Sequence, residues 1–343
     1  MSIDHYAFAS DNTSGICPEA WATIEEANTA GVGSYGADPY TEEACQLLCT
    51  LFEREVDVYF VFNGTAANSL SLSALCKSYH AIIAHEKSHI HTDECGGPEH
   101  FTGGSKILPC SGKHAKLTTA EIDRVVTNRR DLHFPKPKAI SITQCTEFGT
   151  TYSVDELRTL TECARSHRLH VHLDGARFSN AVASLGVSPA ETTWKAGVDV
   201  MSFGLTKLGV GVGEAVVFFD RDLAEEFDYR CKQAGQLASK MRFLTAGWCG
   251  LLRNDAWIEI ARRANAHAQI LREQLSDVPG VDLLFPTQAN AVFARFPQQV
   301  NAAMASKGWH YYELAGIGDS RLMCSWATRK EDIFAFVNDL RQC

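Results

Sequence analysis

Apolar residues along this chain fall into short continuous runs separated by stretches with helical spacing. The runs "VDVYFVF" (56–62), "AIIA" (81–84), "KAISIT" (138–143), "LHVHLD" (169–174), "VDVMSFG" (198–204) and "EAVVFF" (214–219) read as buried strands. Between them, "TAANSLSLSALCKSY", "SVDELRTLTECARSH" and "ARFSNAVASLG" read as helices, and Ser153 stands where a cap would start the second. Strands alternating with helices predict βαβ units, hence an α/β fold with a mostly parallel sheet and helices on both faces. Past residue 252 the pattern changes. A long amphipathic stretch, "DAWIEIARRANAHAQILREQL", precedes short strand-like "VDLLF", "ANAVFARF" and "RLMCSW", interleaved with helix-like "VNAAMASKGW" and "KEDIFAFVNDLRQ". Residues 1–251 are expected to hold an N-terminal arm and a large α/β domain, and 252–343 a smaller C-terminal α+β domain.

Bulk properties narrow the partners. A formal charge of −9 argues against nucleic acid or an anionic membrane. No apolar run has the length of a transmembrane helix, and "MSIDHYAFASDNTSG" lacks the basic start and apolar stretch of a signal peptide. A cytoplasmic location is expected. The 12 cysteines are scattered without a C-x-x-C pair, which suits free thiols rather than a metal framework.

In a parallel α/β sheet, ligands bind outside the carboxyl ends of the strands. "VHLDGAR" puts Asp174 at such an end, with Arg177 shortly after it. "MSFGLTK" puts Lys207 on a tight connection between two strands, at the rim of the site. "FVFNGTAANSL" ends a strand, turns at Asn63-Gly64-Thr65 and opens a helix, so that its first N–H groups and the Thr65 hydroxyl can cradle a phosphate. A phosphate seat, a carboxylate and a lysine at strand ends together match the needs of pyridoxal 5'-phosphate. Lys207 would form the Schiff base, and Asp174 would keep the pyridine nitrogen protonated. Arg177 and Arg321 suit the carboxylate of an amino-acid substrate.

Two other motifs point elsewhere. "HEKSH" matches the H-E-x-x-H zinc pattern through His85, Glu86 and His89, but it follows a strand and lacks a helical apolar stripe. "GVGVGEA" has dinucleotide-loop glycines that precede a strand instead of opening a helix.

Ordered motifs across nearly the whole chain carry a family likeness: "SDNTSG", "SYGADP", "NGTAAN", the His89 region with "ECGG", "HLDGAR", "LTKLGVGVG" and "SRLMCS". The chain resembles the low-specificity L-threonine aldolases, phenylserine aldolases included, which are fold-type I pyridoxal phosphate enzymes. The resemblance implies retro-aldol cleavage of L-β-hydroxy-α-amino acids (L-threonine, L-allo-threonine, L-phenylserine) to glycine and an aldehyde. It implies that Gly64 and Thr65 hold the cofactor phosphate, His89 stacks on its ring, and Asp174, Arg177 and Lys207 bind it. Ser10, Arg177 and Arg321 would take the substrate carboxylate. His89 or His133 would remove the hydroxyl proton. Tyr35 and Arg242 would reach a neighbouring subunit's site in a homodimer or homotetramer. The chain departs from the family pattern at "QCTEFGT", where Glu147 stands in place of a frequent histidine, and at "SYGADP". The rival readings are an aminotransferase or β-lyase on the same cofactor, a non-catalytic cofactor-binding protein, and a zinc hydrolase.

Overall fold

The computed structural model describes residues 5–314 and 319–343. Seven strands form the larger sheet: β1 (Asp57–Val61), β2 (His80–His85), β3 (Lys106–Cys110), β4 (Lys136–Thr143), β5 (His170–Gly175), β6 (Val200–Phe203) and β7 (Glu214–Phe218). Their order is β1-β7-β6-β5-β4-β2-β3, and β7 runs antiparallel to both of its neighbours while the other pairings are parallel. The near-continuous apolar runs follow from this burial, since helices cover both faces. β3 is the strand that the apolar pattern does not announce. It carries Pro109, opposite Ala84 of β2, and pairs on one side only. An edge strand tolerates proline because one side of its backbone needs no sheet partner.

The sheet's register sets the site. Thr143 lies opposite Asp174, and Asp174 opposite Ser202, so the carboxyl ends of β4, β5 and β6 present three polar side chains in a row. Beneath them, an aromatic cluster fixes the sheet against its helices. Phe203 meets Phe52, Phe178 and Trp248 edge-on at ring separations of 5.9, 5.4 and 5.2 Å. Such contacts add to area burial and define ring orientation. Trp248, in the helix Arg242–Leu252, also donates from Nε1 to the Gly213 carbonyl at 3.1 Å. That bond ties the helix to the connection between β6 and β7. The helix Val154–Ser166 begins with a reciprocal cap. The Ser153 hydroxyl accepts from the Glu156 N–H at 3.1 Å, and the Glu156 carboxylate accepts from the Ser153 N–H at 2.7 Å.

A second, antiparallel sheet of four strands follows: β8 (Asp282–Leu283), β9 (Ala291–Arg295), β10 (Tyr312–Leu314) and β11 (Asp319–Met323), in the order β10-β11-β9-β8. The helices Ala256–Ser276 and Lys330–Arg341 pack on it through Leu271, Leu275, Phe336 and Leu340. Residues 5–9, grouped with the larger unit on sequence, pack here instead. His5 bonds to Gly308 and His310, Met323 donates to the Phe8 carbonyl at 2.9 Å, and Phe8 is buried among Trp309 and Phe336. Among the described residues, no helix is long and apolar enough to cross a membrane.

Candidate active site

The carboxyl ends of the parallel strands open into a cleft of about 260 Å³. Gly64, Thr65, His89, Asp174, Arg177 and Lys207, six residues singled out on sequence, all line it.

Lys207 projects from the wide turn Thr206–Val210 between β6 and β7. The turn holds its shape by close backbone approach. Gly209 has φ +127°, and a Cβ there would stand 2.8 Å from the Cβ of Cys17 and 3.0 Å from the Trp326 ring. Only glycine meets both demands. The buried Glu214, at the start of β7, braces the turn by accepting the Leu205 N–H at 2.9 Å. Burial pushes the Glu214 carboxyl up to about 7, against the pull of hydrogen bonds and of Lys207. A carboxyl raised in the folded state contributes stability that is full below its free value and is lost as pH rises through the folded one. Glu214→Gln is therefore expected to flatten the stability profile of the cofactor-free protein. Between about pH 5 and about pH 8, urea unfolding should show the parent losing roughly 2–3 kcal/mol more than the variant.

Gly64 and Thr65 are the first residues of the helix Gly64–Leu75, directly after β1. Asn63 caps it, its Oδ1 accepting from the Ala66 N–H at 2.9 Å. The first N–H groups of a helix have no partner within it and carry the positive end of its dipole, so they face the cleft as anion donors. Apart from the chain immediately around it, no atom of the described residues lies within 4 Å of where a Gly64 Cβ would stand, which leaves room for a group to approach the backbone.

Asp174 is buried at the carboxyl end of β5 and accepts from the Ala176 N–H at 3.1 Å and from Asn68 Nδ2 at 3.0 Å. Asn68 also donates to Glu94 Oε1 at 2.8 Å, and that oxygen lies 2.9 Å from His89 Nδ1. A hydrogen-bonded line thus runs from Asp174 to His89. The Glu94 bond, outweighing burial, raises His89 above the usual histidine value, with Asp174 and Glu147 adding to it.

The Arg177 guanidinium is engaged within the chain. Its Nε and Nη2 donate to the two oxygens of Asp11 at 2.7 and 2.9 Å, and Asn290 Nδ2 donates to Asp11 at 3.2 Å. Burial disfavours the Asp11 charge, but Arg177 outweighs it and holds the carboxyl below the ordinary aspartate range. Arg321, on β11, differs. Its Nε is buried without a hydrogen bond, its guanidinium lies 4.9 Å from the Tyr312 ring centre, and burial together with Arg177 works against its charge. Asp11 and Glu147 favour its charge, and it does not itself line the cleft. Glu147 also lines the cleft, and burial raises its carboxyl despite nearby Arg177. Asp11, Asn68 and Glu94 escape sequence reading as site residues, although "SDNTSG", "NGTAAN" and "ECGG" contain them.

Other expected residues stand apart from the cleft. His133 lies in an exposed turn before β4, its N–H bonded to Asp131 at 3.0 Å. The cleft is at the carboxyl ends of the strands, so the sheet separates His133 from the site of its own chain. Ser10 does not line the cleft. Its hydroxyl caps the short turn Asp11–Thr13 by accepting from Asn12 at 3.2 Å. Tyr35 is exposed under Lys232, at 4.9 Å, and Arg242 donates to the Thr29 carbonyl at 3.2 Å; neither lines the cleft. The zinc reading fails on geometry. His85 ends β2, with Nε2 bonded to the Gly112 carbonyl at 3.0 Å and Nδ1 accepting from the Lys87 N–H at 3.0 Å, so no lone pair remains for a metal.

Comparison with known proteins places this geometry. A sequence-family model described as beta-eliminating lyase matches residues 7–297. Low specificity L-threonine aldolase from Pseudomonas aeruginosa is 53% identical over 334 residues, covering 97% of this chain and 96% of that protein. The chain belongs to the low-specificity L-threonine aldolases. A second aldolase of that name, from a Pseudomonas species, is 52% identical over 99% of both chains. The structure of Leishmania major threonine aldolase superposes on this aldolase with a TM-score of 0.92 at 28% identity, over 98% of this chain and 99% of that one. Thermus thermophilus aspartate aminotransferase shares the fold at a TM-score of 0.73 and 15% identity, over 99% and 92% of the two chains. The enzyme is a lyase of the low-specificity L-threonine aldolase type.

Proposed function

We propose that this aldolase cleaves L-threonine, L-allo-threonine and L-phenylserine to glycine and the matching aldehyde, with pyridoxal 5'-phosphate as cofactor. The observation that carries the reading is the meeting of Lys207, Asp174 and the helix start at Gly64–Thr65 in one cleft. The donor set fits the cofactor: free helical N–H groups for its phosphate, a buried carboxylate for its ring nitrogen, and an amine for its aldehyde carbon. Bound there, the cofactor would supply an electron sink for the cleavage of the Cα–Cβ bond.

The chain's own residues do the rest. Gly64 and Thr65 would bind the phosphate, Asp174 would accept from the ring nitrogen and keep it protonated, and Lys207 would be the attachment point. Arg321, whose Nε lacks a hydrogen bond, is the natural anchor for the substrate carboxylate, with Arg177 held beside it by Asp11. His89 has Nδ1 committed to Glu94, so Nε2 is the atom that takes the β-hydroxyl proton. Tyr35, Arg242 and His133 lie outside the cleft of their own chain, and a role at the site requires them to come from a neighbouring copy. A homodimer or homotetramer supplies that arrangement. We also propose a cytoplasmic location, on charge and composition, and a division into two domains near residue 252.

The test is direct. Purified, cofactor-loaded protein is given each of the three substrates, and aldehyde and glycine are counted. Equal amounts of both from any substrate support the reading. Bound cofactor with no aldehyde from any of them overturns it in favour of transamination, the chemistry of fold neighbours such as the aspartate aminotransferase.

A further inference from the structure

We propose that Glu94 is a positioning residue that orients His89 and makes it a competent base, an inference that rests on the aldolase reading for its catalytic consequence. Glu94 sits in the turn after the short helix His89–Thr92, and its side chain is fully buried while that of His89 is 37% exposed toward the cleft. One end of the pair therefore faces reactants and the other is sealed.

The contacts are asymmetric. Both donors to the carboxylate, His89 Nδ1 at 2.9 Å and Asn68 Nδ2 at 2.8 Å, converge on Oε1, while Oε2 is buried without a partner. Negative charge is thereby presented along one line, toward the imidazole. Burial raises the Glu94 carboxyl, and the bonds from His89 and Asn68 pull it back down; in its charged form it only accepts, so Nδ1 carries the proton and the lone pair of neutral His89 is fixed on Nε2. Asn68 spends its second amide hydrogen on Asp174 at 3.0 Å, so the residue that holds Glu94 also holds the carboxylate assigned to the cofactor nitrogen. Imidazole orientation and ring-nitrogen contact are set by one amide. The charged or titratable groups acting on His89 are Glu94, Asp174 and Glu147.

The substitution Glu94→Gln keeps the side chain's size and removes its charge. The first measurement is the NMR titration of His89 in cofactor-free protein, assigned by its disappearance in His89→Asn. The midpoint is expected to fall by about one unit, since an opposite charge at this range favours the protonated imidazole. In loaded enzyme, the acid limb of the pH profile for kcat/KM should move down in step. Its plateau should drop roughly 10- to 100-fold, a part of the roughly 100- to 10,000-fold that a general base typically contributes. Adding Glu94→Gln to His89→Asn should cost nothing further, because the carboxylate acts through the imidazole. Glu94→Asp keeps the charge and should retain most of the parent midpoint, which covers the case in which the Gln variant does not fold.

An unmoved midpoint, or a uniform loss of activity at every pH with additive effects of the two substitutions, would overturn the proposal and reduce Glu94 to a structural role. A shifted midpoint in a protein that releases no aldehyde would leave the pairing intact and fault the aldolase reading instead.

Discussion

Lys207→Ala abolishes turnover: aldehyde release from L-threonine falls by at least about a thousandfold, as expected when a covalent attachment point is removed. The loss is confined to chemistry. The lysine lies at the rim of the cleft on a turn shaped by Gly209, Glu214 and Trp248, and its side chain makes none of the hydrogen bonds there, acting on Glu214 only through its charge. Unfolding of the cofactor-free variant should match the parent. A collapse in stability alongside activity would mean that the turn depends on the lysine itself, and the assignment of a chemical role would fail.

The second large effect falls on a residue that does not itself line the cleft but holds one that does. Asp11→Ala leaves the Arg177 guanidinium without its carboxylate, in a pair whose side chains are only 14% and 1% exposed. Removing one partner of a buried ion pair costs about 3–5 kcal/mol because the remaining charge stays desolvated. Asn290 also loses an acceptor. Urea unfolding at neutral pH should show the loss, and KM should rise through the displaced Arg177. Asp11→Asn, which keeps an acceptor oxygen, should recover part of the stability. Wild-type stability in the alanine variant would mean that Arg177 finds another partner or water.

The parallel sheet was legible because buried strands write themselves as continuous apolar runs, and the chemistry was legible where those runs stop. Asp174 and Lys207 stand immediately past "VHL" and "MSFGLT", and strand direction alone puts them at the ligand-binding end. The short edge strands β3 and β10 left little pattern, one interrupted by proline and the other spanning Tyr312–Leu314. Asp11 was invisible as a site residue because its partners, Arg177 and Asn290, are 166 and 279 positions away. Nothing local marks such a pair. His133 is the instructive case. It precedes β4, and a residue before a parallel strand lies at the amino end of the sheet, away from the ligand. Strand direction already argued against its place in the cleft of its own chain, while motif likeness argued for a role.

The anchoring of the N-terminal segment sets a timetable for making the enzyme. Residues 5–11 are synthesised before either sheet, yet Phe8 finds its neighbours at Trp309 and Phe336, and Asp11 waits for Asn290. The seven strands and the lysine turn have all been synthesised by the end of β7, but the salt bridge that fixes Arg177 gains its Asn290 support only once residue 290 has been made. A nascent chain stalled after Leu252 would therefore lack the rings that seat Phe8 and the amide that steadies Asp11.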